Sequence, residues 1–347
     1  MAQIDKPNLH FNTVTYTATG NDNLAITGVD FQPDLTWIKE RSSTSSHAWW
    51  DAVRGVTKKI ESDNDQVEGT DATGLKSFDS DGFTLGTSAQ VNHSGVTNVA
   101  WNWLAGGGQG SANSDGTFAT TYTSANQTAG FSISQFTVSG SGNVTFGHGL
   151  GAKPKVVITK STSHTTNWNV YHEDLSASPE NDYLYLNTSA AKGTSTDVWG
   201  DGMTTSVVGL GVGIGVSVGR TYVAYCFAEK KGYSKFGSYT GNGNANGTFV
   251  YTGFKPAWVL IKQTSASGEE WQLLDNKRNT HNPTNTALFP SDTAVENSGN
   301  DRSDFLSNGF KLRSTSGGVN ASSATYIYMA FAENPIVGSN NVAAVAK

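Results

Sequence analysis

The chain is 347 residues long, carries a formal net charge of −6, and is 36% hydrophobic, 11% aromatic and only 15% charged. That much apolar and aromatic material excludes a disordered chain. The densest basic stretches are mere pairs (Lys58-Lys59, Lys230-Lys231, Lys277-Arg278), which argues against nucleic acid as a partner. No run reaches the ~18 apolar residues of a membrane span, and a single cysteine, Cys226, excludes an internal disulfide framework.

The opening MAQIDKPNLHF has neither a basic nor an apolar signal region, so the chain is expected to fold in a cytoplasm and to leave it by lysis or assembly. From there on the apolar period is two almost everywhere. LTWIK, KVVIT, AWVLI and YIYMAFA are short, β-branched or aromatic, and bounded by Gly, Asn or Ser, which is the strand signature.

One set of landmarks occurs three times in the same order. A proline is followed six residues later by a lysine (Pro33 to Lys39, Pro154 to Lys160, Pro256 to Lys262). An aromatic cluster comes next (HAWWD at 47–51, WNVYH at 168–172, WQLLD at 271–275), then a turn (SDGF at 80–83, GDGM at 200–203, SNGF at 307–310). An aromatic strand closes each copy: NVAWNWLAG from Asn98, YVAYCFAEK from Tyr222, YIYMAFAEN from Tyr326. Fixed-offset repetition of this kind predicts a chain built from copies of one unit. The fold expected is all-β, with three tandem related β-sandwich units of jelly-roll or concanavalin-like type. Their expected bounds are 1–108, 109–235 (with AGGGQGSANSDG at 105–116 as a linker) and 236–347, the last ending in a tail.

Two features stand out as candidate contact sites. Adjacent strand residues face opposite sides, so one of Trp49 and Trp50 should point outward and could stack on a sugar, although such aromatics also fill cores. The run Val207–Gly219 alternates apolar residues with glycine, and its bare face at Gly211, Gly213 and Gly215 suggests close approach of another backbone or of a partner surface. The strand-end lysines are expected to snorkel over apolar surface or to pair with Asp51 or Asp275.

No catalytic residues, metal or cofactor are expected. Glu173-Asp174 and Glu269-Glu270 are sequence neighbours that diverge on a strand, whereas glycoside cleavage needs two acids across one bond. The seven histidines show no zinc spacing, and Cys226 in VAYCFA reads as a small buried hydrophobe.

Taken together, FQPDLTWIKERS, WDAVRG, SFDSDGFTLG, GHGLGAKPKVVI, YVAYCFAEKKGYSKFGSYTGNGNANGTFVYTGFKP, DFLSNGFKLR and YIYMAFAENPIVGSNN make the whole chain resemble the repeat-containing virion structural proteins of marine tailed bacteriophages. The resemblance implies a non-enzymatic virion component, released by lysis and forming a homo-oligomer. It would be tail-associated, with other virion proteins and a host-surface glycan as partners. The alternatives are a capsid-exterior decoration protein or a carbohydrate-binding module.

Overall fold

The computed structural model describes residues 3–200, 202–214, 216–335 and Val337. The fold is all-β: the described strands form six antiparallel sheets, and the single α-helix among the described residues is the one turn Ala89–Asn92. Each sheet is confined to one stretch of the chain, and they fall into three pairs of one large and one small sheet.

The strand order in the large sheets recurs. In the first, Phe11–Thr17 pairs with Thr97–Trp103, which pairs with Leu35–Glu40, which pairs with Ala48–Asp51. The second repeats this order with Phe131–Thr137, Thr221–Phe227, Val156–Ser161 and Asn169–His172. The third repeats it with Ser234–Thr240, Thr325–Pro335, Phe254–Gln263 and Gln272–Asp275. The strand Ser234–Thr240 therefore runs across the expected 235/236 boundary. Pro33 and Pro154 stand just ahead of their strands, and Pro256 sits at a register shift, where a residue without an N–H costs no ladder bond.

The first and third small sheets each contain a hairpin. Ser80-Asp81 turns Leu75–Asp79 into Gly82–Leu85, and Ser307-Asn308 turns Ser303–Leu306 into Gly309–Leu312. In the second pair the small sheet is Val144–Gly147 with Val207–Leu210 alone, and Met203 joins by one bridge to Val208.

Side-chain alternation divides the core. Trp37, Ile158 and Leu260 belong to one apolar cluster drawn from all three large sheets. Their neighbours Ile38, Val157 and Val259 fall into three separate clusters, each between a large sheet and its own small sheet. The large sheets thus turn their aromatic faces inward onto a common centre. There Trp49 lies 5.2 Å from Trp168, Trp103 lies 5.7 Å from Trp258, and Phe227 lies 6.0 Å from Phe331, ring centre to ring centre. Such offset and edge contacts between large rings add to their area burial.

The Gly-rich segment expected to act as a linker is anchored. Asp34, fully buried, accepts the backbone N–H groups of Gly107 (2.8 Å) and Gly108 (2.6 Å).

Candidate functional site

Trp49 and Trp50 do face opposite sides, but both sides are covered. Trp49 is 1% exposed in the common core and Trp50 is 0% exposed beneath the small sheet of the first pair. The expected outward ring is absent because the large sheet is sandwiched on both faces, and neither indole presents a face to a ligand.

The glycine run is also accounted for within the chain. A Cβ on Gly211 or on Gly213 would overlap the Asp197 carbonyl oxygen, and the Gly211 N–H donates to Val198 O at 2.9 Å. Close approach of the chain's own backbone at Asp197 and Gly200, and not a partner surface, therefore requires the bare positions at Gly211 and Gly213. Gly215 lies outside the described residues. Cys226 is buried, and burial pushes its thiol well up, as suits an inert core residue.

The polar chemistry is concentrated where the sheet sets meet, and it is cyclic. Glu68 N donates to Thr162 O (3.0 Å), Lys192 N to Thr264 O (3.1 Å) and Glu296 N to Arg41 O (2.8 Å), so the first set bonds to the second, the second to the third and the third to the first. Indole donors follow the same pattern: Trp168 Nε1 reaches Glu61 O and Trp271 Nε1 reaches Tyr185 O, each at 2.9 Å. His47 stands at the corresponding position of the first set, where its Nδ1 instead accepts the Trp37 Nε1 at 2.9 Å.

A second layer of contacts has two versions. Asp51 accepts the Tyr225 hydroxyl at 2.7 Å and the Arg54 Nε at 2.6 Å, and Asp275 accepts Trp101 Nε1 at 3.0 Å and the Arg278 Nε at 2.6 Å. Burial opposes the charge on Arg54, but Asp51, Tyr225 and Glu68 outweigh it and raise its pKa. By register, His172 and Leu175 replace Asp and Arg in the second set, and Met329 replaces the aromatic donor in the third. Met329 has no proton to give, and a buried carboxylate opposite it would lack a donor. His172 instead lies 3.1 Å from Tyr328 O through Nε2, and burial holds its pKa down to about 4.

The three repeated lysines are fully buried on the inward faces of their strands. Lys39 Nζ donates to Glu40 O (2.8 Å) and Ser43 O (3.3 Å), Lys160 Nζ to Ser161 O (2.7 Å), and Lys262 Nζ to Ser189 O (3.1 Å) and Glu269 O (2.6 Å). Desolvation lowers each to about 8. They cap carbonyls where snorkelling or pairing with Asp51 or Asp275 was expected.

The surface has two notable features. Phe249 (43% exposed) and Tyr251 (60%) point outward from Phe249–Tyr251, an edge strand of the third small sheet. Beside the same small sheet, a cleft of about 550 Å3 is lined by Lys255, Asn276, Asn279, His281 and Phe305 among others. The loop that walls it, 276–286 (NKRNTHNPTNT), has no counterpart in the recurring motifs beyond Arg278, which matches Arg54, so repetition could not have pointed to the cleft; its run of amides and hydroxyls between WQLLD and SNGF was the available signal. No group of His, Cys, Asp or Glu suited to a metal occurs among the described residues.

A family model described as a domain of unknown function (DUF7483) matches residues 6–335. No curated protein matches the chain.

Proposed function

The chain belongs to the DUF7483 family over nearly its whole length, and on that premise we propose that it is a non-enzymatic structural component of a bacteriophage particle, associated with the tail and contacting the host surface or other virion proteins as a homo-oligomer. The observation that carries this reading is the cyclic closure of the three sheet sets, whose junctions are tied by equivalent backbone bonds at 3.0, 3.1 and 2.8 Å. One chain thereby makes a rigid body of threefold character, a form suited to a symmetric particle. The sequence resemblance points the same way. One acid of each pair weighed for catalysis is engaged: Glu173 pairs with Lys153 (3.0 Å) and Lys155 (3.3 Å), and Glu270 accepts the Ser291 hydroxyl. The exposed Phe249 and Tyr251 on an unpaired strand edge offer a surface for a neighbouring protein.

Mass spectrometry of purified particles, followed by localisation in a cryo-EM map, tests the reading. Detection at stoichiometric level in tail density is expected. Presence in the lysate but absence from washed particles would overturn it, and density on the capsid exterior would favour the decoration alternative.

A further inference from the structure

We propose that the cleft walled by the 276–286 loop is the centre of a groove that binds a neutral, extended glycan. The inference deepens the host-contact reading above and takes from it only the source of the glycan.

The groove is preformed. Asn279 donates to Asn285 Oδ1 and accepts from Thr286 N, both at 2.9 Å, while Asn282 donates to Phe305 O and accepts from Phe305 N, both at 2.9 Å. These amides are used to hold the loop against the strand Ser303–Leu306, so little ordering remains to be done when a ligand arrives.

The groove is also longer than one hollow. The central cleft of about 550 Å3 lies within the ~300–1,000 Å3 range of small-molecule sites. It shares Asn276 with a hollow of about 190 Å3 beside Asn12 and Asp30, and Asn282 with one of about 520 Å3 beside Asp301 and Arg313. Contiguous hollows joined through shared walls suit a chain of residues better than a compact molecule.

The lining selects the ligand class. Thr280, His281 and Asn282 are exposed around the centre, and hydroxyl, imidazole and amide groups that both donate and accept match sugar hydroxyls, which do the same. Lys255 is the one cation of the central lining, and it is held by Glu333 at 2.7 Å. The centre therefore has no uncompensated charge for a polyanion. Asn276 lines both the central cleft and the hollow beside Asn12, which makes it the wall residue shared by the two.

The test is titration of the isolated full chain with neutral cello-, laminari- and agaro-oligosaccharides, by saturation-transfer NMR and calorimetry, with alginate oligosaccharides as the anionic contrast. Binding of at least one neutral series is expected, insensitive to salt, and weakened about tenfold or more by Asn276→Leu with melting temperature maintained. His281→Ala, at an exposed position, is the second variant should Asn276→Leu fail to fold. Absence of neutral-glycan binding, binding undiminished in the folded variants, or binding confined to alginate with steep salt dependence would each overturn the proposal. The particle assay fails or succeeds independently, because it reads composition and not affinity.

Discussion

The hydroxyl of Tyr225 donates to Asp51 across 2.7 Å, joining a strand of the second large sheet to one of the first. The same carboxylate holds Arg54, and neither side chain of that ion pair has solvent exposure. Removing one member of a buried pair leaves the other charge uncompensated, at a cost of about 3–5 kcal/mol. Asp51→Ala and Asp275→Ala are each expected to destabilise by that order in chemical denaturation, and a loss under 1 kcal/mol for both would refute the assignment.

The junction between the second and third sets should reject a transplanted acid. His172→Asp alone puts a carboxylate opposite Met329, and is expected to destabilise. Adding Leu175→Arg and Met329→Tyr should recover much of the loss, because the three residues rebuild the arrangement of Asp51, Arg54 and Tyr225. A mutant cycle with additive effects would argue against this coupling.

Acid sensitivity follows from His172. Its folded pKa of about 4 lies below its ordinary value of 6.5, so between these values the unfolded chain binds more protons. Stability is therefore fully present above pH 6.5 and falls as pH drops toward 4, with a ceiling of about 3 kcal/mol from this one group. His172→Asn should flatten the pH dependence of the melting temperature over that window; an unchanged slope would exclude His172 as a source.

The lysines have the opposite relation to neutral pH. Each folded pKa of about 8 lies below the ordinary 10.5, so the buried charge is a liability below pH 8 that fades as pH rises toward 10.5. Lys160, with a single carbonyl bond, is expected to tolerate Lys160→Met at pH 7 with unchanged or raised melting temperature. Lys262→Met releases both Ser189 O and Glu269 O and should lower it. Equal effects of the two changes would count against this distinction.

Trp50→Ala is expected to cost about 3–5 kcal/mol, as for other large core truncations. It should leave glycan affinity per folded molecule unaltered, since the indole is enclosed beneath the first small sheet. Reduced affinity with intact stability would restore Trp50 as a contact residue.

These residues also mark how far the sequence could be read. Strand identity, turn positions and the repeated order follow from local rules, because period-two patterning and Asp-Gly or Asn-Gly turns act over a few residues. What covers a strand face is non-local. The alternation of Trp49 and Trp50 says that they diverge, whereas their burial depends on two other sheets and on a hairpin. The glycines at 211 and 213 signalled a close backbone or a partner surface, and only the fold identifies the neighbour as the chain's own backbone at Asp197 and Gly200. The 276–286 loop is legible in composition alone, since its amides are organised by partners as distant as Phe305.

The cyclic junctions have an evolutionary consequence. In a trimer of identical chains, any substitution at an interface appears three times, and a change such as Asp to His would have to succeed at every copy together. Here the three interfaces are encoded separately, so one of them could lose its acid, its arginine and its aromatic donor while the other two kept theirs. Covalent linkage also makes ring closure independent of protein concentration. Encoding the three junctions separately leaves each contact, and each outer loop, free to change without the consent of its counterparts.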